Sequence, residues 1–368
     1  MAGSVRGLGR AQTGMSVPPG GVLAGLLRVA PGDRDAAAGL CAEVGEWAAL
    51  VEGAARHGIV GPIANRVDGL VPEPFQADLR RRVAVEELWH ARMMAALGEV
   101  VTTLASHGIE VVALKGPLIA ERHYPAGESR VSVDLDVLIL PETLDAAMVA
   151  LKSLGYYVDR YSELQRHSPY SSHLALKHAS GPLVELHFRL AAQRRSPLET
   201  ADLLARSLPF RSRCGFAVRV LAPEDEFLWL AIHATEHGLS ALSRLYDLKL
   251  LVEQNPGLNW ETVARRATTN GHQTAVYMTV QALRSDLGVT APAERMALVP
   301  NWVARRHPGF LRRQIAAPSN SPAGVYPLRQ LVMTALVCDP LWRGPFIFVS
   351  RVGRASARHL RLWGEGKS

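Results

Sequence analysis

Two aspartates interrupt an apolar run at Val133-Asp134-Leu135-Asp136-Val137-Leu138-Ile139-Leu140. On an extended strand alternate side chains share a face, so Asp134 and Asp136 point one way and Val133, Leu135 and Val137 the other. Carboxylates held side by side repel each other, and a hard divalent cation with oxygen ligands, Mg²⁺ above all, relieves that repulsion. Nucleotidyl transfer needs such an arrangement: one ion activates the attacking oxygen and a second steadies the leaving pyrophosphate. A third acid is expected from a neighbouring strand. Val184-Glu185-Leu186-His187-Phe188 sets Glu185 on a polar face, as the third metal ligand and the base for an acceptor hydroxyl. His187 shares that face, in reach of a phosphate or the acceptor.

Lys115-Gly116-Pro117, upstream, ends a β-branched run and opens a short helix. Gly116 lets backbone approach a ligand closely, and the helix start would aim N–H groups at an anion. Lys115 adds a positive charge beside that turn, and Arg130, four residues before Asp134, is placed to neutralise a triphosphate from the other side.

Each signal has a plainer reading. An Asp-x-Asp alone is common on solvated strand edges, and the combination with Lys115-Gly116 and Glu185 is what makes it specific. His233 and His237 stand at i, i+4 on one helical face, but the order is not His-Glu-x-x-His. They read as packing residues, with His237 facing the nucleotide. Asp247 reads as an ion pair with Arg244 and Lys249. No P-loop, dinucleotide-binding glycine motif or nucleophile elbow is present.

Elements must hold these residues in place. Apolar residues recur at helical spacing over residues 46–55 and 83–104. Short strands are expected at 109–114, 133–140 and 156–158, with a helix over 141–154 and a hairpin of 173–177 with 183–190. After Pro223 helical patterns return over 224–238, 241–254, 260–267 and 273–286. The fold class is therefore α+β, an α/β core sheet flanked by helical units. The expected divisions are a disordered lead-in over 1–32, an N-terminal helical unit over 33–105, a catalytic core over 106–222, a C-terminal helical unit over 223–318 and a basic tail over 319–368.

Composition narrows the class. Forty-eight per cent of residues are apolar and 20% charged, an ordinary globular balance. The three cysteines are scattered, odd in number and without zinc spacing, which fits a reducing, cytoplasmic setting. No apolar run approaches the roughly 20 residues needed to span a bilayer. The net charge of +7 is concentrated in arginines after residue 304 and favours anionic partners, although few aromatics interleave with them, so nucleic acid is not the favoured one.

Leu114-Lys115-Gly116-Pro117-Leu118, Tyr124-Pro125, Arg130 and Asp134-Leu135-Asp136-Val137-Leu138 resemble the uncharacterised nucleotidyltransferase family of the DNA polymerase beta-like superfamily. Val184-Glu185-Leu186-His187 resembles its third-acid strand. His233, His237, Arg244-Leu245 and Asp247 resemble its helical segment, in which Arg244 and Asp247 are supporting residues. The likeness covers residues 45–255. Where the wider superfamily has Gly-Ser or Gly-Gly, this chain has Gly116-Pro117, and Pro117 removes one N–H donor. The resemblance implies Asp134, Asp136 and Glu185 as catalytic and metal-binding residues for two Mg²⁺ ions, with Mn²⁺ as the substitute. It also implies Lys115, Gly116, Arg130, His187 and His237 around a nucleoside triphosphate, taken as ATP. Members found beside lasso-peptide and other natural-product genes suggest a peptide acceptor. A catalytically silent nucleotide- or nucleic-acid-binding protein of the same fold is the alternative.

Overall fold

The computed structural model describes residues 19–159, 163, 171–190, 198–237, 239, 241–291, 296, 298–306 and 339. Among them, seven short strands form one mixed sheet: β1 (Val112–Ala113), β2 (Asp134–Leu138), β3 (Tyr157–Val158), β4 (His173–Lys177), β5 (Leu183–His187), β6 (Leu208–Arg211) and β7 (Ala217–Val220). Their spatial order is β3-β4-β5-β2-β1-β7-β6. β2 runs parallel to β5 and β1 parallel to β7, whereas all other neighbours are antiparallel.

Among the described residues five helices precede the sheet, the first four being α1 (Pro19–Arg28), α2 (Arg34–Cys41), α3 (Trp47–His57) and α4 (Val60–Val67). α5 (Glu73–Ser106) follows, with Pro74 in its first turn, where a missing N–H costs nothing. At 34 residues it is about 50 Å long. Its burial has two parts. Leu79 lies in a core made by the flanking helices, while Met93, Leu97, Val100, Val101 and Leu104, at three- and four-residue spacing, lie in the core under the sheet. That second core also takes Leu135 and Val137 of β2, Val184 and Leu186 of β5, and Ala147, Ala150 and Leu151 of α7 (Leu144–Lys152). α6 (Pro117–His123) joins β1 to the segment leading into β2.

α8 (Thr200–Arg206) precedes the β6–β7 hairpin, and α9 (Pro223–Glu236), α10 (Leu242–Gln254), α11 (Trp260–Thr269), α12 (Gln273–Leu287) and the short α13 (Trp302–Arg306) follow it. Helices before and after the sheet share one core: Leu23, Leu26, Leu50 and Ile63 are clustered with Phe227, Leu248, Val276 and Leu283. The expected N- and C-terminal helical units thus pack together, and the carboxylate-bearing sheet rests against both.

Three expectations need correction. The lead-in over 1–32 contains α1, whose Leu23, Leu26 and Leu27 are fully buried at helical spacing; the glycines and prolines around it masked that stripe. Residues 1–18 of the lead-in lie outside the described residues, as does the tail over 319–368 apart from Asp339. The strand over 109–114 is only two residues long. α8 and the β6–β7 hairpin were not anticipated, because β6 is an edge strand that carries Pro209 and shows no alternation of burial.

Candidate active site

The register of β2 against β5 assembles the acids. Asp136 pairs with Glu185 across parallel strands, and Asp134 precedes Asp136 on the same face. Oxygen atoms from Asp134, Asp136 and Glu185 all lie within 4.8 Å of one another. Leu135 and Val137 are fully buried on the opposite face, which locks the parity. Val133 departs from expectation: it stands just outside β2 and is 69% exposed.

The turn after β1 closes one side. Gly116 has φ +85° and ψ −146°, a conformation open to glycine alone. A Cβ there would meet the Asp134 carbonyl oxygen and Ser132 Oγ at 3.3 Å each. α6 is seven residues long and starts at Pro117, so it offers fewer N–H donors than the expected helix start. It is pinned by Arg122, which donates to both oxygens of buried Glu226 at 2.6 and 2.8 Å.

Lys115 reaches into the acids: Nζ lies 3.0 Å from Asp136 Oδ1 and 3.7 Å from Asp134 Oδ2. Burial works against its charge, but Asp136, Asp134 and Glu185 outweigh it and hold its pKa above the ordinary lysine value. Burial, and then the charge of Asp136, push the Asp134 carboxyl up to about 6, with Lys115 opposing. His187 Nε2 lies 3.1 Å from Asp136 Oδ1 and 3.5 Å from Glu185 Oε2. Burial disfavours the imidazolium, yet its bonds to those two carboxylates raise its pKa to about 9. Glu185 moves the other way: burial would raise it, but the bond from His187 and the charges of His173, His187 and Lys115 hold it far below the usual carboxylate range.

Arg130 and Asp247 are brought together, not to where the sequence suggested. Asp247 accepts from Arg130 Nε at 2.8 Å and Nη2 at 2.8 Å, and from Tyr124 Oη at 2.7 Å. The expected partners of Asp247, Arg244 and Lys249, are replaced by Arg130; Lys249 pairs with Glu253. Arg130 Nη1 also approaches the Gly116 carbonyl at 3.4 Å. Its charge is thereby paired in a buried fork that braces the turn.

The histidines form a second flank. Aromatic contacts run from His173 to His187 (5.0 Å between ring centroids), to Trp229 (5.6 Å), to His233 (5.8 Å) and to His237 (4.5 Å). Burial and the nearby charges of Lys115, His237, Arg244 and Arg130 hold His233 well below the ordinary histidine value. That ties His237 and Arg244 to the site through His233. His173, Trp229 and Tyr124 were not assigned roles from sequence. His173 was legible in principle, since Leu174 and Leu176 are the buried face of β4 and His173 must share the other face with Glu185 and His187.

The donor set fits a divalent cation. Lys115 and His187 both engage Asp136 Oδ1, whereas Asp136 Oδ2 is buried without a hydrogen-bond partner. An orphaned carboxylate oxygen in a cluster of three acids is an opening for a hard metal ion.

A family model described as uncharacterised nucleotidyltransferase matches residues 43–286. No curated protein matches the chain. The matched stretch is well over half of the sequence and contains the entire sheet together with Lys115, Asp134, Asp136 and Glu185. The chain therefore belongs to the uncharacterised nucleotidyltransferase family and is a nucleotidyl-transferring enzyme.

Proposed function

We propose that the chain transfers a nucleoside monophosphate, AMP from ATP, to an acceptor hydroxyl at the Asp134–Asp136–Glu185 cluster. The observation that carries this reading is the convergence of three acids around the orphaned Asp136 Oδ2, beside a lysine–glycine turn. The acceptor oxygen would bond to the α-phosphorus as the bond to the bridging oxygen breaks, releasing pyrophosphate. Asp134, Asp136 and Glu185 would hold Mg²⁺, in a two-ion stoichiometry; bound there, it would supply charge neutralisation for the triphosphate and acidify the acceptor hydroxyl.

The chain's own groups have distinct tasks. Lys115, already 3.0 Å from Asp136, would turn to the phosphates when cations take the acids. The Gly116 turn would let the triphosphate approach the backbone. His187 holds Glu185 ionised, the form that would both ligate a cation and take the acceptor hydroxyl's proton. His237, beyond His233, would face the nucleotide, and a natural-product peptide is the acceptor class to test first.

The test is pyrophosphate release and acceptor labelling with ATP and Mg²⁺. Asp134→Ala and Asp136→Ala are expected to lower turnover by at least about 10³-fold, the scale of losing a charge-stabilising catalytic group. Equal turnover in both variants and the wild type would end this reading. One observation favours a silent binding protein instead: two internal cations, Lys115 and His187, already compensate the acids. On that reading, calorimetry would find ATP binding with no uptake of Mg²⁺.

A further inference from the structure

We propose that His173, Glu185 and His187 form a second metal site, for a zinc-class transition ion, on the side of Glu185 away from Asp134. One ligand atom from each of the three lies within 4.8 Å of the others. Neighbouring antiparallel strands deliver them: His173 stands opposite His187, and Ala175 opposite Glu185, so all three side chains share one face. The imidazole rings are 5.0 Å apart.

The Glu185 carboxylate lies between the histidines. Oε2 is 3.5 Å from His187 Nε2, and Oε1 is 3.9 Å from His173 Nε2. Ligand atoms on a tetrahedral ion with bonds of about 2.0–2.2 Å stand about 3.4 Å apart, so Oε2 is already placed for His187, and His173 must close on that same oxygen to complete the site. His173 can supply that movement: its side chain is 41% exposed at the start of β4, and its Nδ1 is only 3.4 Å from Ser172 Oγ, a weak restraint. His187 is buried and its Nδ1 has no hydrogen-bond partner, so its polar contacts run through Nε2, which lies 3.1 Å from Asp136 Oδ1 and 3.5 Å from Glu185 Oε2 and would turn from the former to the ion.

Donor chemistry separates this site from its neighbour. Two imidazole nitrogens and one carboxylate, with a position open to water, suit zinc, cobalt and related ions, whereas Mg²⁺ prefers an all-oxygen set. Asp134 belongs to the hard side of the cluster and His173 to the soft side, while Glu185 serves both and Asp136 touches the soft side through His187 Nε2. The proposal does not depend on nucleotidyl transfer, because the ligand geometry stands whatever the acids do.

The test is a titration of the full chain with Co²⁺, read as visible ligand-field bands, in excess Mg²⁺, followed by Zn²⁺ displacement. One equivalent with the intense bands of a tetrahedral site is expected. His173→Ala should weaken Co²⁺ binding on the order of a hundredfold, and Asp134→Ala should leave the bands in place. His173, half-exposed, can be replaced without opening the core, so a loss there reads on ligation and not on folding; His187→Gln is the second variant. Unchanged bands in His173→Ala, or bands abolished by Mg²⁺ or by Asp134→Ala, would overturn the assignment and put the ion among the aspartates. Failure of nucleotidyl transfer is read separately, from pyrophosphate.

Discussion

Asp134 and His187 face the same acids but respond to pH from opposite sides of neutrality. Asp134 is lifted from an ordinary carboxylate value to about 6, so the folded chain holds a proton that the unfolded chain has given up. Stability from that difference is full below about pH 4 and is lost as pH rises through 6, on the order of 3 kcal/mol by linkage. His187, raised to about 9, contributes fully below about pH 6.5, and the contribution is lost as pH rises through 9. Glu185, held low, acts in the opposite sense but only below its unfolded value, so it stays ionised above pH 5. In chelator, the melting temperature should therefore fall in two steps between pH 5 and pH 9.5. Asp134→Asn should remove the lower step and His187→Gln the upper. A wild-type melting temperature that is flat across this range would refute the electrostatic account of the cluster.

The elements that carry these residues are bound by a buried fork. Arg130 leads into β2, Asp247 belongs to α10, and 117 residues separate them along the chain. Asp247 is 1% exposed, and Tyr124 at the end of α6 donates to it as well, so one carboxylate ties α10 to both ends of the segment that shapes the Gly116 turn. Asp247→Asn leaves the Arg130 guanidinium buried without its counter-charge, a change expected to cost about 3–5 kcal/mol in denaturant unfolding. Replacing both partners by apolar residues, Arg130→Met with Asp247→Leu, should recover most of that loss; a double variant no more stable than the single one would mean that the fork contributes by geometry instead of charge. The fork also marks where sequence reading runs out. The parity of Asp134, Asp136 and Glu185 was legible because alternation along a strand is local, and Leu135, Val137, Val184 and Leu186 record it. The partner of Arg130 was not, because the choice among Glu128, Asp247 and a phosphate depends on three-dimensional proximity: Glu128 is in fact taken by Arg66 at 2.7 Å. The face of His173 was legible from the alternation of β4, but its place opposite His187 comes from the β4–β5 register and not from its neighbours in the chain.

At the scale of the whole molecule, the helices before and after the sheet behave as one body. Arg66 of α4 donates to Glu128 at 2.7 Å and to Tyr246 of α10 at 2.9 Å, and Tyr246 donates to Glu128 at 2.7 Å, all in the interior. Arg28 at the end of α1 donates to the carbonyl of Asp286 at 2.9 Å, which fixes α1 to the last turn of α12. α1 thus belongs to the structural core although it lies in a glycine-rich stretch. Leu23, Leu26 and Leu27 are each fully buried, and at about 1.5–3 kcal/mol apiece their burial is of the order of the whole stability of an ordinary domain. Removing residues 1–31 should therefore cost cooperative folding, with exposed apolar surface from α3, α4 and α12 and loss of a sharp thermal transition. Leu26→Ala alone should lower stability by about 2–5 kcal/mol while leaving the transition cooperative. Because α5 carries Leu79 in the helical core and Leu97 in the core under the sheet, that loss should reach the carboxylate cluster: hydrogen exchange at β2 should rise together with exchange at α3. Protection at β2 that outlasts the melting of α3 would show that the sheet is a separate folding unit, with α5 as a rod between two independent bodies.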